Sequence, residues 1–196
     1  MIQKSDVEAR FNQARKVQES LLKDADIIKR MSEIVADGLR KGNKVLFFGN
    51  GGSAADAQHL ACELAGRFYL DRPSLPALAL SVNTSSLTAI GNDFGFQKVF
   101  SRQIEGIGSA GDVAVAISTS GNSPNVIEAV KTAKSMGIIT LGFTGQTGGE
   151  LKDLVDECLI VATDETPRVQ EGHILAGHII CELAERELFG KASPQE

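Results

Sequence analysis

The sequence predicts an α/β fold, with a parallel sheet covered by helices on both faces. Short apolar runs alternate with helical stretches after residue 43, as in successive strand–helix units. Glycine supplies 20 residues, aromatic residues make up only 5%, and tryptophan is absent, a balance that suits tight turns between strands and helices. At 196 residues the chain is long enough for one hydrophobic core and short for two. We therefore expect a single domain over residues 1–196.

Residues 1–42 are predicted to form a long helical arm ahead of the first strand. Its apolar residues recur at helical spacing in two segments, and Asp24 is placed to cap the second of them. These residues are Val7, Phe11, Ala14, Val17, Leu21, Ile28, Met31, Val35 and Leu39. An apolar stripe of this length needs a covering surface, and one small domain offers limited room for it. We therefore expect the arm to mediate oligomerisation.

The α/β core is predicted to span residues 43–190 and to contain five strands. The apolar runs that predict them lie at 44–48, 76–82, 112–118, 138–144 and 158–162. Helices are predicted at 53–68, in the segment that ends at Ile107, at 124–136 and at 167–189. Pro124 and Pro167 each follow a hydroxyl residue, so we expect both prolines at the first helical position, after an N-cap. Five strands separated by helices imply a parallel sheet.

Composition and charge exclude several classes of protein. The net charge of −5 gives no long-range attraction to nucleic acid or to anionic lipid. The opening residues, MIQKSDVEAR, lack the apolar stretch of a signal peptide. The sequence also contains no apolar run of about 18 residues, the length needed to span a membrane. Cys62, Cys158 and Cys181 form no C-x-x-C pair and fit buried thiols in a reducing compartment. We expect a soluble, cytoplasmic protein without nucleic-acid or membrane partners.

A glycine-rich loop, Gly-Asn-Gly-Gly-Ser at residues 49–53, joins the first strand to a helix. Glycines let the backbone turn sharply there, so that N–H groups at the start of the helix point towards an anion. The loop half matches the dinucleotide fingerprint, but the second strand ends in Ser-Val-Asn at 81–83, without the acidic residue that binds a ribose. NAD is therefore disfavoured. A tight turn without any ligand is the alternative.

A hydroxyl-rich loop, Ser-Thr-Ser-Gly-Asn-Ser at residues 118–123, follows the third strand and precedes the next helix. Its four hydroxyls beside the positive end of a helix suit a phosphate monoester. Ser123 alone fits an N-cap as well as a ligand. The sequence lacks G-x-x-x-x-G-K-[ST], so a nucleoside triphosphatase is not indicated.

All three histidines fall in two predicted helices. His59 and Glu63 are four residues apart and face the same side, a spacing that suits one metal ion or an ordinary surface pair. Gln170 and His178 lie near the start of the last helix, separated by a rise of about 12 Å, so they share a metal only by leaning towards each other. In its apolar surroundings His178 also fits a buried, hydrogen-bonded core histidine.

Five motifs, taken together, resemble the phosphoheptose isomerases, which are members of the sugar isomerase (SIS) fold family. They are GNGGSAADAQHLACEL (49–64), IGNDFGF (90–96), ISTSGNSPNVI (117–127), GFTGQTGGEL (142–151) and TPRVQEGHILAGHIIC (166–181). The resemblance covers nearly the whole chain. It implies a single SIS domain with a flavodoxin-like sheet, assembled as a homotetramer whose active sites are lined by more than one subunit.

The resemblance also implies a ligand set. One Zn²⁺ per subunit is bound in this family by residues that correspond to His59, Glu63, Gln170 and His178. Substrate contacts carry over onto Asn50, Gly51, Gly52, Ser53, Glu63, Asn92, Asp93, Ser118, Thr119, Ser120, Ser123 and Gln170. Some relatives carry an aspartate where this chain has Pro167, so any role of that aspartate is absent here or taken by Asp164 or Glu165.

The activity implied is an aldose–ketose isomerisation of D-sedoheptulose 7-phosphate to D-glycero-D-manno-heptose 7-phosphate through an enediol. This is the first step of activated-heptose synthesis for lipopolysaccharide core or another surface glycan, and Glu63 and His178 are the expected proton carriers. One alternative is an isomerase of another sugar phosphate. Another is a non-catalytic adaptor for the bacterial replication initiator, against which the four retained ligand residues argue. A third alternative is a regulatory domain that senses a phosphosugar. Such a domain is usually attached to a DNA-binding or synthase domain, and this chain has no spare length for one.

Overall fold

The computed structural model describes residues 1–190 and contains one five-stranded parallel sheet. The strands are β1 (Val45–Gly49), β2 (Ala77–Ala79), β3 (Val113–Ser118), β4 (Ile139–Gly145) and β5 (Glu157–Val161). The helices are α1 (Lys4–Leu21), α2 (Ala25–Arg40), α3 (Gly52–Ala65), α4 (Thr84–Phe94), α5 (Ser101–Ile107), α6 (Pro124–Ser135) and α7 (Thr166–Phe189). The strand order is β2-β1-β3-β4-β5, which is the flavodoxin-like order. The predicted fold class is confirmed.

The sheet separates two hydrophobic cores because successive side chains of a strand point to opposite faces. In β1, Val45 and Phe47 belong to the core formed with α2, α3 and α7. Leu46 and Phe48 belong to the core formed with α5 and α6. All five residues of β1 are buried, which explains why the strand is a continuous apolar run instead of an alternating one.

The helical arm forms as predicted, with a 3₁₀ turn at residues 22–24 between α1 and α2. Asp24 occupies the N-cap position of α2, although its side chain makes no capping hydrogen bond. The apolar residues of α2 are buried against α7 and the sheet, whereas Val7 and Phe11 of α1 remain 50% and 73% exposed. The N-terminal end of the predicted stripe is therefore uncovered within one chain, whereas the stripe from Val17 onwards is buried. Within residues 1–190, no helix combines the length and apolar character needed to cross a membrane.

Three predicted boundaries differ from the structure. The second strand is only three residues long, because it lies at the sheet edge and pairs with β1 alone. Helix α3 ends at Ala65 instead of residue 68. Pro124 is the first residue of α6 behind Ser123, as predicted, but α7 begins one residue before Pro167, with Glu165 at its N-cap.

His173 is fully buried where α7 packs against the end of β4. Its Nε2 lies 3.0 Å from the backbone oxygen of Thr144, and its Nδ1 has no hydrogen-bond partner among the described residues. Burial lowers the pKa of His173 from 6.5 to about 4, and the hydrogen bond with Thr144 offsets only part of this effect. The imidazole is therefore neutral in the folded protein at neutral pH and donates from Nε2.

We expect the protein to lose stability as the pH falls from 6.5 towards 4. In this range the unfolded chain binds a proton at His173 that the folded protein excludes, so stability present above pH 6.5 is progressively lost. The shift corresponds to about 3 kcal/mol of unfolding free energy. Urea denaturation across this pH range measures it, and His173→Gln, which does not titrate, should give a flatter profile. An equally steep profile in that variant would contradict the assignment to His173.

Candidate active site

The two predicted anion-binding loops follow β1 and β3, which are neighbours in the sheet. The strand order reverses between these two strands, and ligands of open α/β sheets bind in the crevice at this position. The helices that follow, α3 and α6, both begin at the carboxyl ends of these strands. The topology therefore places the glycine-rich and hydroxyl-rich loops side by side.

The glycine-rich loop makes a turn that depends on its glycines. Gly51 is the N-cap of α3 and has φ 56°, a left-handed conformation that side chains rarely adopt. A Cβ atom on Gly49 would lie 2.7 Å from the backbone oxygen of Ile117, so the loop approaches β3 too closely for any other residue. Ser53 is buried and its N–H donates to the backbone oxygen of Asn50.

The hydroxyl-rich loop is held by its own hydrogen bonds. The hydroxyls of Ser118 and Ser123 lie 3.0 Å apart, and the N–H of Gly121 donates to the backbone oxygen of Ser118. Ser123 occupies the N-cap position of α6, but its side chain does not cap the helix. The capping interpretation of this hydroxyl is therefore not supported, and the hydroxyl faces Ser118 instead.

Asn50 and Asn125 connect the two loops by hydrogen bonds. Asn50 was identified from the sequence, but Asn125 was not. The amide of Asn50 donates to Oδ1 of Asn125, and the amide of Asn125 donates back to Oδ1 of Asn50, both at 2.8 Å. Asn125 is buried in the first turn of α6. This reciprocal pair occupies the side chain of Asn50, which leaves its backbone for any ligand. The two residues are 75 positions apart, so no local spacing indicates them.

His59, Glu63 and His178 meet at the contact between α3 and α7. The Nε2 atom of His59 lies 3.0 Å from Oε1 of Glu63 and 3.3 Å from Nε2 of His178. One ligand atom from each residue lies within 4.8 Å of the other two. Two imidazoles and a carboxylate at this separation form a donor set that suits a divalent ion such as zinc. The interpretation of His178 as a buried core histidine is wrong, since its side chain is only partly buried and lies at this cluster.

Gln170 lies against the start of α3. A Cβ atom on Gly52 would lie 2.2 Å from Nε2 of Gln170, so the amide rests directly on the glycine backbone. The side chain is therefore held at the glycine-rich loop, on the same pair of helices as the histidine cluster.

Asp56 is a half-buried acid at the site that was not identified from the sequence. It lies one turn before His59 on α3, and its Oδ2 has no hydrogen-bond partner in the part of the chain that the structure describes. Burial raises the pKa of Asp56, and the nearby His59 lowers it by a smaller amount. Its spacing of three residues from His59 was the available signal.

Asn92 and Asp93 are not brought to this cluster by their own chain. Both are exposed near the end of α4, and within residues 1–190 their side chains hydrogen-bond only to each other. The assignment of these residues as substrate contacts therefore stays a prediction.

Fold and site together define a SIS domain, and residues 11–145 match this family. A phosphoheptose isomerase from Clostridium acetobutylicum is 51% identical over 191 residues, covering 96% of this chain and 97% of that relative. The solved structure of a phosphoheptose isomerase from Neisseria gonorrhoeae superposes with a TM-score of 0.88 at 42% identity, covering 92% of this chain and 97% of the other. The solved structure of a phosphoheptose isomerase from Francisella tularensis superposes with a TM-score of 0.91 at 30% identity, covering 95% of this chain and 100% of the other.

The chain belongs to the phosphoheptose isomerases. The resemblance inferred from the sequence motifs is thereby confirmed, and the protein is an isomerase. The adaptor and regulatory alternatives are not favoured.

Proposed function

We propose that the protein converts D-sedoheptulose 7-phosphate to D-glycero-D-manno-heptose 7-phosphate, the first step of activated-heptose synthesis for lipopolysaccharide core or another surface glycan. The observation that carries this proposal is the cluster of His59, Glu63 and His178 beside two loops suited to a phosphate. Membership of the phosphoheptose isomerase family supports it.

The reaction moves a proton from C1 to C2 and a second proton from the C1 hydroxyl to the C2 oxygen, through an enediol. We assign the proton transfers to Glu63 and His178, whose side chains face the same small volume. Ser118, Thr119, Ser120 and Ser123, with the start of α6, would bind the phosphate and fix the reacting carbons relative to Glu63. Glycine N–H groups of the 49–53 loop would bind the sugar oxygens.

The donor set fits one Zn²⁺ per subunit, held by His59, Glu63, His178 and Gln170. When bound, the ion would polarise the substrate carbonyl and stabilise negative charge on its oxygen. A carboxylate that binds a metal is a weaker base than a free one. Glu63 therefore has two competing roles, as a metal ligand and as a base.

We further propose a cytoplasmic homotetramer whose active sites are lined by more than one subunit. The uncovered part of α1 supports this, because Val7 and Phe11 line an apolar groove of about 600 Å³ that also reaches Arg168 of α7. Asn92 and Asp93 are exposed and do not contact the histidine cluster of their own chain, so they are suited to reach the active site of a neighbouring subunit. A charged sugar phosphate does not cross membranes unaided, which fits a cytoplasmic enzyme.

Phe11→Asp is expected to dissociate the tetramer, because it places a charge in the proposed apolar contact of α1. Sedimentation velocity measures the result. Asn12→Asp adds the same charge at the neighbouring exposed position and should leave the tetramer intact. A tetrameric Phe11→Asp protein would contradict the role assigned to the arm.

Proton exchange at C1 tests the proposed reaction directly. Sedoheptulose 7-phosphate is incubated with the metal-loaded protein in deuterated water and followed by NMR, with a chelated sample in parallel. We expect deuterium incorporation together with appearance of the aldose, and loss of both on chelation.

Each other outcome changes one part of the proposal. Exchange that survives chelation would remove the metal from the reaction and leave the isomerase assignment in place. No exchange by a folded, metal-loaded tetramer would overturn the heptose assignment, in favour of another sugar phosphate or of a binding role.

A further inference from the structure

An ion pair between Arg72 and Glu185 lies buried next to the histidine cluster. Each side chain is only 2% exposed, and Nε of Arg72 donates to Oε1 of Glu185 at 2.9 Å. Buried charges are costly unless every polar atom is hydrogen-bonded, and removing one partner is strongly destabilising. The other hydrogen bonds of the two side chains therefore show which parts of the backbone the ion pair stabilises.

Arg72 holds the C-terminal turn of α3, which contains Glu63. Its guanidinium donates to the backbone oxygens of Glu63 at 3.0 Å and Leu64 at 2.7 Å, and also to that of Gly66. These carbonyls lie at a helix end and have no partner within the helix, and a positive charge there is favourable. Arg72 thus caps the last turn of α3 and fixes the backbone at Glu63.

Glu185 holds the chain that follows α3. Its carboxylate accepts hydrogen bonds from the N–H groups of Phe68, Tyr69 and Leu70 at 2.8 to 3.0 Å. Burial raises the pKa of Glu185, but these bonds and the Arg72 guanidinium outweigh it and hold the pKa below its usual value of 4.5. The ring of Phe68, fixed in this way, lies 5.9 Å from the ring of His178.

Helices α3 and α7 are in contact at two points near the histidine cluster. At one point Gly177 lies against Leu60, where a Cβ atom would approach the leucine side chain to 2.6 Å. At the other point Arg72 bridges the end of α3 to Glu185 of α7. Glu185 follows His178 by seven residues, about two helical turns, and so lies on the same face of α7.

We propose that Arg72 and Glu185 are positioning residues that set the separation of α3 and α7, and thereby the geometry in which His59, Glu63 and His178 bind one metal ion. The inference rests on the proposed function, since it concerns the same metal site. Neither residue touches the reacting atoms. Their contribution is the fixed spacing of two helices whose ligands are 119 residues apart in the sequence.

Metal affinity in variants of this ion pair provides the test. Glu185→Gln keeps the side-chain length but removes the charge and points an amide at N–H donors. Arg72→Lys keeps the charge but lacks the planar fork that reaches several carbonyls. We expect both to bind Zn²⁺ more weakly by roughly 10- to 100-fold, as is typical for residues that orient metal ligands, and to change the visible spectrum of the Co²⁺-loaded protein. Chelator competition measures the affinity.

Val130→Ala separates positioning from general destabilisation. Val130 is fully buried on α6, across the sheet from α3 and α7, so its truncation lowers stability without contacting the site. We expect this variant to keep wild-type Zn²⁺ affinity and the wild-type Co²⁺ spectrum. If the ion-pair variants also keep both while losing stability, the pair is a structural helix cap and the proposal is overturned.

Two further arms keep the test decisive. If Glu185→Gln does not fold, Glu185→Asp retains the charge and retracts the carboxylate, and Gly177→Ala separates the helices at the other fastening; both should weaken Zn²⁺ binding. Wild-type protein that binds no divalent ion would overturn the metal proposal itself. Wild-type binding with unchanged variants would overturn only the positioning role.

Discussion

Glu63→Gln is expected to lower kcat by roughly 10²- to 10⁴-fold, the range attributed to general acid–base groups, while leaving the fold intact. Glutamine has the shape of glutamate, and its oxygen can still face Nε2 of His59, which lies 3.0 Å from Glu63 in the present structure. Arg72 continues to hold the backbone at position 63. The amide, however, does not take a proton from C1. Isomerase assays and the C1 exchange experiment measure the loss.

The metal content of this variant distinguishes the two demands on Glu63. Loss of exchange with one ion still bound would identify Glu63 as the base, whereas loss of both would identify it as a required ligand. Glu33→Gln is the control, because Glu33 pairs with Lys29 on the exposed surface of α2, away from the site. Wild-type turnover in Glu63→Gln would remove Glu63 from the mechanism.

Gly52→Ala is expected to lower kcat/KM by about 100-fold through displacement of Gln170. The new methyl group would lie 2.2 Å from Nε2 and 2.8 Å from Cδ of Gln170, so the amide must move away from the glycine-rich loop. Displacements of about 1 Å at a site of this kind cost about that factor. The clash involves the flexible end of a side chain, and alanine favours helix, so the fold should persist.

Steady-state kinetics and a thermal unfolding curve check this prediction. The matched control is Gly106→Ala in α5, where an added Cβ would meet no atom within 4 Å. The control should retain full activity. Full activity in Gly52→Ala as well would show that the position of Gln170 is unimportant for turnover.

The fold could be predicted because its signals are local. The strands are short, largely apolar runs, and Pro124 is the first residue of α6. The end of α3 was predicted too late, because it is set by Arg72 and Ser74, which hydrogen-bond the last carbonyls of the helix from the following segment. The exposed edge position of β2 likewise depends on the sheet order and not on the local sequence.

The site was predictable only in part. The spacing of His59 and Glu63 indicated a shared face, and the structure places His178 beside them. The Asn50–Asn125 pair and the Arg72–Glu185 pair were not predicted, because their members are 75 and 113 residues apart. Such pairings follow from packing of whole helices and leave no periodic signature in the sequence.

The position of α7 as the last helix has a consequence for biosynthesis. All five strands precede residue 166 in the chain, so the sheet can begin to form while α7 is still being synthesised. His178 and Gln170 arrive only with that final helix, and a nascent chain offers just His59 and Glu63 to a metal ion. The proposed metal site would therefore be complete only after translation of α7, and chains truncated before α7 would lack two of its proposed ligands.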